Sequence, residues 1–239
     1  MWGEHMENDA DNMANLADHD QHVPQVKICG LTRVEEALTC VEMGARAIGC
    51  VFYPGSPRYV REEQARDIFA ALPERVSSVG VFVNEGFSEI MRKVEVCGLK
   101  AVQLHGQESP HFVDKLLQES LQVIKVLFAN ATPSLQLAES YSASAYLVEC
   151  SGGRLPGGNA LAWDWEKAVG LSQRLPLILA GGLTPDNVSQ AIQAACPDAV
   201  DVSSGVEIEP GRKDSRKVKR LLENVYQSRC AKRPRRIFQ

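Results

Sequence analysis

The chain has 239 residues, 44% of them hydrophobic and 23% charged, which is enough for one large α/β domain with a sizeable core. No run of about 18 apolar residues occurs, which excludes a membrane-spanning helix, and the start lacks the basic and apolar regions of a secretory leader, so a cytoplasmic location is expected. The seven cysteines are odd in number and scattered without a CxxC pair, an arrangement of reduced thiols rather than of a disulfide framework or a zinc site.

Residues 1–25 hold six acidic side chains and no Lys or Arg, without helical or strand periodicity, and are expected to form a solvated N-terminal extension. From Val26 to Tyr226 short runs rich in Val, Ile, Leu and Ala alternate with longer amphipathic stretches, the pattern of a parallel sheet with crossover helices. Eight strands are predicted, at residues 26–29, 47–52, 78–83, 101–105, 123–128, 145–149, 177–180 and 199–203. After the first, Thr32 and Glu35 read as a capping box, followed by Val34, Ala37, Leu38 and Val41 at helical spacing, with Gly44 as the stop. Further helices are expected from near Arg61, Gly86, Ser109, Pro133, Asp164 and Arg212. One more opens at Thr184, Pro185 and Asp186, in the order of N-cap, first-turn proline and acidic first turn. Eight such pairs over residues 26–227 make a single-domain (β/α)₈ barrel the expected fold; a doubly wound open sheet has the same local pattern. Residues 228–239, CAKRPRRIFQ with its two preceding residues, read as a basic tail that is solvated rather than bound to nucleic acid.

Candidate chemistry falls at predicted strand ends, where a barrel carries its active site. Gly181 and Gly182 follow the seventh strand in LILAGGLTPDNV, and Ser203, Ser204 and Gly205 follow the eighth in AVDVSSGVE. Either motif alone is an ordinary tight turn. Both together, after strands 7 and 8, point to a phosphate held by backbone N–H groups and hydroxyls. Cys29 closes the first strand, Arg58 lies after the second, His105 closes the fourth, Glu149 the sixth, and Asp201 lies in the eighth. Singly, the cysteine reads as a small buried hydrophobe, the histidine as a hydrogen-bonded filler and the arginine as a solvated charge. The carboxylates are harder to dismiss, because a buried charge needs a partner.

In their order and spacing, KICGLT, GCVFYPGSPRYV, VGVFVN, QLHG, ILAGGLTPDNV, AVDVSSGVE and GRKD resemble the phosphoribosylanthranilate isomerase family of tryptophan biosynthesis, over nearly everything from Val26 to about Val225. The resemblance implies an Amadori rearrangement of a phosphorylated aminoaldose to an aminoketose, with no cofactor and no metal. It implies Cys29 as general base, Glu149 in the place of the family's aspartate as general acid, and Arg58 as partner of the anthranilate carboxylate. His105 and Asp201 are implied to line the pocket, the latter near the ribose hydroxyls. The expected partner is the small phosphorylated substrate, without nucleic acid or membrane, in a monomer or homodimer. The chain departs from the family in reading LVE for LLD, GGNA for GGTG, with Ala160 in place of a glycine, and WDW for FDW. The longer acid leaves three outcomes open: compensation by the loop of Gly152 and Gly153, slow turnover, or a phosphate-ligand-binding barrel without turnover. A further alternative is another phosphosugar isomerase, such as the related Amadori enzyme of histidine biosynthesis; Cys29 and the lack of a half-length repeat count against it.

Overall fold

Eight short apolar runs become eight parallel strands that close on themselves. The computed structural model describes residues 22–151 and 162–238. The strands are β1 (Gln25–Cys29), β2 (Ala47–Val51), β3 (Ser77–Phe82), β4 (Ala101–Leu104), β5 (Gln122–Phe128), β6 (Ala145–Glu149), β7 (Leu177–Leu179) and β8 (Ala199–Val202), hydrogen-bonded in sequence order into a closed barrel. They are buried on both faces, which is why they read as apolar runs and why their ends fall within one or two residues of those predicted. Closure rules out the open sheet.

The crossover helices are α1 (Val34–Glu42), α2 (Glu62–Ala70), α3 (Phe87–Cys97), α4 (Pro110–Leu117), α5 (Val169–Arg174), α6 (Val188–Ala195) and α7 (Ser215–Gln227). Between β5 and β6 the described connection is a 3₁₀ helix, Leu135–Ser140, in place of a longer helix. Local signals explain several starts. Ser109 accepts a hydrogen bond from the Phe112 N–H ahead of Pro110, and Asp214 accepts from the N–H groups of Arg216 and Lys217. Two expected caps are corrected. Thr32 caps nothing, because its hydroxyl donates to the Gly211 carbonyl 2.8 Å away, and α1 starts after Arg33. The turn at Thr184 is real, but α6 begins at Val188, with Asn187 receiving the Thr184 N–H on its side-chain oxygen.

The barrel interior is layered by strand alternation. Its floor is four alanines, Ala47, Ala101, Ala145 and Ala199, each the first residue of an even-numbered strand and each fully buried. Above them come Lys27, Val79, Ile124 and Ile178 from the odd strands. Such small floor residues leave room, and residues at the far end of the chain fill it.

That filling overturns the expectation of a solvated C-terminal tail. Ile237 and Phe238 are buried against the alanine floor. The Gln25 side-chain oxygen accepts from the backbone N–H groups of both, at 2.7 and 2.9 Å, while its amide donates to the Phe238 carbonyl at 2.6 Å; Gln122 donates to the Ile237 carbonyl, also at 2.6 Å. Upstream, Lys232 and Arg235 both pair with Asp198, which is fully buried. The basic residues are thus anchors for an apolar plug, and the first strand starts at Gln25 rather than Val26. Among the described residues no helix is long and apolar enough to cross a membrane, and no disulfide joins any of the cysteines.

Candidate active site

The carboxyl ends of the strands converge on one pocket, and every site residue singled out in the sequence lines it: Cys29, Arg58, His105, Glu149 and Asp201, with Gly181, Gly182, Ser203, Ser204 and Gly205. Gly152, Gly153 and Ala160 of the altered loop lie outside the described residues.

On the β1 side, the inward face of the strand reads Gln25, Lys27 and Cys29 from floor to mouth. The fully buried Lys27 ammonium donates to Asp201 Oδ1 at 2.9 Å and lies beside the Cys29 sulfur. Gly49 makes this proximity possible, since a Cβ there would stand 2.7 Å from Cys29 Sγ and 3.2 Å from Lys27 Nζ. Burial pushes the Cys29 thiol up and the Lys27 ammonium pulls it back, with burial the larger effect.

Across the mouth, Glu149 ends β6. Its Oε1 lies 2.9 Å from His105 Nε2, and His105 Nδ1 lies 3.0 Å from the Gln103 amide nitrogen. The His105 ring also leans on Phe128, with centroids 5.9 Å apart. Behind it, the fully buried Lys125 donates to Glu108 at 2.6 Å and to the carbonyls of Leu104 and Gly106, which fixes the loop that follows β4. Glu149, His105 and Gln103 therefore form a row along the pocket wall, each side chain braced by the next.

Arg58 does not stand alone as a solvated charge. Its Nε and Nη2 donate to the two carboxylate oxygens of Glu207 at 2.9 and 2.7 Å, a bidentate pair with both partners buried. Glu207 opens β9 (Glu207–Glu209), which pairs with β10 (Arg212–Lys213) in a small hairpin after β8. Lys213 Nζ reaches Glu207 Oε1 at 2.7 Å, and the Gly211 N–H donates to the same oxygen at 3.2 Å. Burial alone would raise the Glu207 carboxyl, but the Arg58 hydrogen bond and the Lys213 charge outweigh it and hold it below the usual carboxylate range. Lys27, Gln103, Glu207 and Lys213 were not singled out in the sequence, although VKICG, QLHG, SSGVE and GRKD contain them.

The glycine loops close the last side. Gly181 and Gly182 both have positive φ, 83° and 68°. A Cβ at Gly205 would lie 1.9 Å from the Leu183 carbonyl oxygen, so the loops after β7 and β8 touch backbone to backbone and only glycine fits there. Ser203 Oγ is buried at the pocket wall with no hydrogen-bond partner among the described residues, a hydroxyl able to meet a ligand. Among the described residues no group of three or more His, Cys, Asp or Glu could hold a metal ion.

Residues 26–224 match the family model described as N-(5'phosphoribosyl)anthranilate (PRA) isomerase. The chain is 53% identical over 214 residues to the N-(5'-phosphoribosyl)anthranilate isomerase of Desulfatibacillum aliphaticivorans, covering 90% of this chain and 98% of the relative. It is 45% identical over 198 residues to that of Citrifermentans bemidjiense, covering 83% and 95%. Among solved structures, phosphoribosyl anthranilate isomerase from Thermotoga maritima matches with TM-score 0.77 at 39% identity, over 84% of this chain and 98% of that one. A phosphoribosyl anthranilate isomerase crystallised with reduced 1-(o-carboxyphenylamino)-1-deoxyribulose 5-phosphate matches with TM-score 0.74 and the same identity and coverage.

Proposed function

This chain belongs to the N-(5'-phosphoribosyl)anthranilate isomerase family, and on that premise we propose how its own residues carry the reaction. The enzyme is an isomerase of tryptophan biosynthesis, and the rearrangement needs an acid on one side of the sugar and a base on the other. In the proposed mechanism Glu149 gives its proton to the furanose oxygen, the C1′–O bond breaks with its electron pair remaining on that oxygen, and a Schiff base forms. The Cys29 thiolate then takes the proton from C2′, and the resulting enolamine relaxes to the 1-deoxyribulose ketose. Lys27, next to the sulfur, favours the thiolate that burial opposes. Arg58, held rigid by Glu207, turns its remaining N–H groups to the anthranilate carboxylate. The Gly181–Gly182 and Ser203–Gly205 loops hold the phosphate, with the unpartnered Ser203 hydroxyl as one donor. Asp201 serves the ribose hydroxyls.

The observation that carries this reading is that a thiol on β1 and a carboxylate on β6 line one pocket whose adjoining wall is the pair of glycine loops. Strands β1 and β6 are separated by β7 and β8 around the barrel, which supports an acid and a base acting from different sides of the sugar. The additional methylene of Glu149 is met by His105, which tethers the carboxylate at 2.9 Å and so restrains the longer arm. Steady-state kinetics of Glu149→Gln beside Glu149→Asp tests the assignment. The glutamine variant is expected to lose about 10² to 10⁴ in kcat, and the aspartate variant to keep measurable turnover. Native turnover by Glu149→Gln refutes the acid role.

A further inference from the structure

Among the described residues, two buried polar atoms on the pocket wall have no hydrogen-bond partner, Ser203 Oγ and Gln103 Oε1. The phosphate site gives the first a use. Nothing in the reaction as described gives one to the second.

Gln103 lies on β4, 1% exposed, two residues before His105. A neutral imidazole carries one N–H and one bare nitrogen, so the partners on its two sides must be of opposite kinds. When Glu149 is a carboxylate it accepts from Nε2–H, and Nδ1 accepts from the Gln103 amide, an arrangement that fits the distances of 2.9 and 3.0 Å. When Glu149 holds a proton, its O–H donates to Nε2 and the ring proton sits on Nδ1. That N–H would then face the amide N–H₂ of Gln103, donor against donor. A half-turn of the amide removes the conflict, because its oxygen and nitrogen exchange places with little change of shape. The orphaned Oε1 is the acceptor that the second state requires.

We infer that Gln103 is a positioning residue that sets the tautomer of His105 and, by turning its amide over, lets His105 stay bonded to Glu149 in both the charged and the protonated form. The inference rests on the proposed role of Glu149 as acid. Across His105 and Glu149 the charged state holds one exchangeable proton and the protonated state holds two. The difference is the proton delivered to the furanose oxygen. Recharging takes one proton from solvent, which enters at Nδ1 while the Nε2 proton moves to Glu149. The titratable and charged groups sharing the pocket with the pair are Cys29 of β1 with Lys27 below it, Tyr53 and Arg58 after β2 and Asp201 of β8. Strands β3, β5 and β7 bring Val81, Phe128 and Ala180, and Cys150 follows Glu149.

Nitrogen-15 spectra of the full chain labelled at histidine report the tautomer directly, with His105→Gln assigning the signal. In the native chain Nδ1 is expected to be bare while the His105–Glu149 pair holds one proton and to carry hydrogen once the pair holds two; in Glu149→Gln this coupling to the neighbouring carboxyl is expected to be lost. Gln103→Met, close in shape but without the amide, is expected to abolish the change of tautomer. Its kcat should fall about tenfold with little change in KM, a part of the roughly 10²- to 10⁴-fold that a positioned proton donor contributes. A native His105 that keeps one tautomer throughout, or a Gln103→Met enzyme with native kcat, overturns the inference. Full turnover by Glu149→Gln, with the change at His105 present in the native chain and lost in both Glu149→Gln and Gln103→Met, would instead remove the acid role and leave the Gln103–His105 coupling standing.

Discussion

Replacing Phe238 by alanine tests whether the end of the chain belongs to the barrel interior. Phe238 is 3% exposed and packs with the alanine floor. Its backbone N–H and carbonyl are both held by the Gln25 side chain, so the backbone stays in place when the ring is removed. Deleting a buried phenyl ring costs about 3 to 5 kcal/mol, more where the surroundings cannot collapse. Ala47, Ala101, Ala145 and Ala199 sit on strand backbones locked into the sheet and have no longer side chains to move, so about 4 kcal/mol is expected. For a chain of this size each kcal/mol lowers the melting midpoint by about 2–4 °C, which puts the expected drop at roughly 8–16 °C. Thermal unfolding followed by circular dichroism measures it, with Phe238→Leu expected to recover more than half. Because the plug lies at the end of the barrel away from Cys29, kcat should stay native. A midpoint within about 2 °C of the native chain would refute the packing argument.

Gly49→Ala should act at the other end of the barrel. Its methyl would enter the space between Cys29 Sγ and Lys27 Nζ, and displacing the thiol by about 1 Å is expected to lower kcat/KM about a hundredfold, measured by steady-state kinetics on protein shown by its melt to be folded. Stability should depend on pH through Glu207, which Arg58 and Lys213 hold below 4.5 despite its burial. Between the folded value and 4.5 the unfolded chain binds more protons, so this stabilisation is complete above 4.5 and is lost as pH falls through the folded value. Urea unfolding across the acid range should therefore show a steep limb that Glu207→Gln flattens, along with a loss of roughly 3 to 5 kcal/mol at neutral pH from the unpaired Arg58 and Lys213; an unchanged slope would contradict the assignment.

The barrel was legible because each parallel strand is covered on both faces and so appears as an apolar run ended by Gly, Pro or a polar residue. The site was legible as a list of strand ends. What holds it was not, because the bracing partners are far apart in the chain: Lys27 and Asp201 are 174 positions apart, and Arg58 and Glu207 are 149. No local pattern marks such pairs. Thr32 failed as a cap for a similar reason, since a carbonyl 179 positions away took its hydroxyl. At the C-terminus the run of Lys and Arg masked the short Ile237–Phe238 pair, and only the alanines at four strand starts, seen together in space, reveal the hollow that pair fills.

Gln25, in the first strand made, finds its hydrogen-bond partners 212 and 213 positions later. A growing chain therefore cannot close the underside of its barrel until residues 237 and 238 have been made, and a chain cut before them would display a hollow floored by alanine, with the amides of Gln25 and Gln122 stripped of these partners.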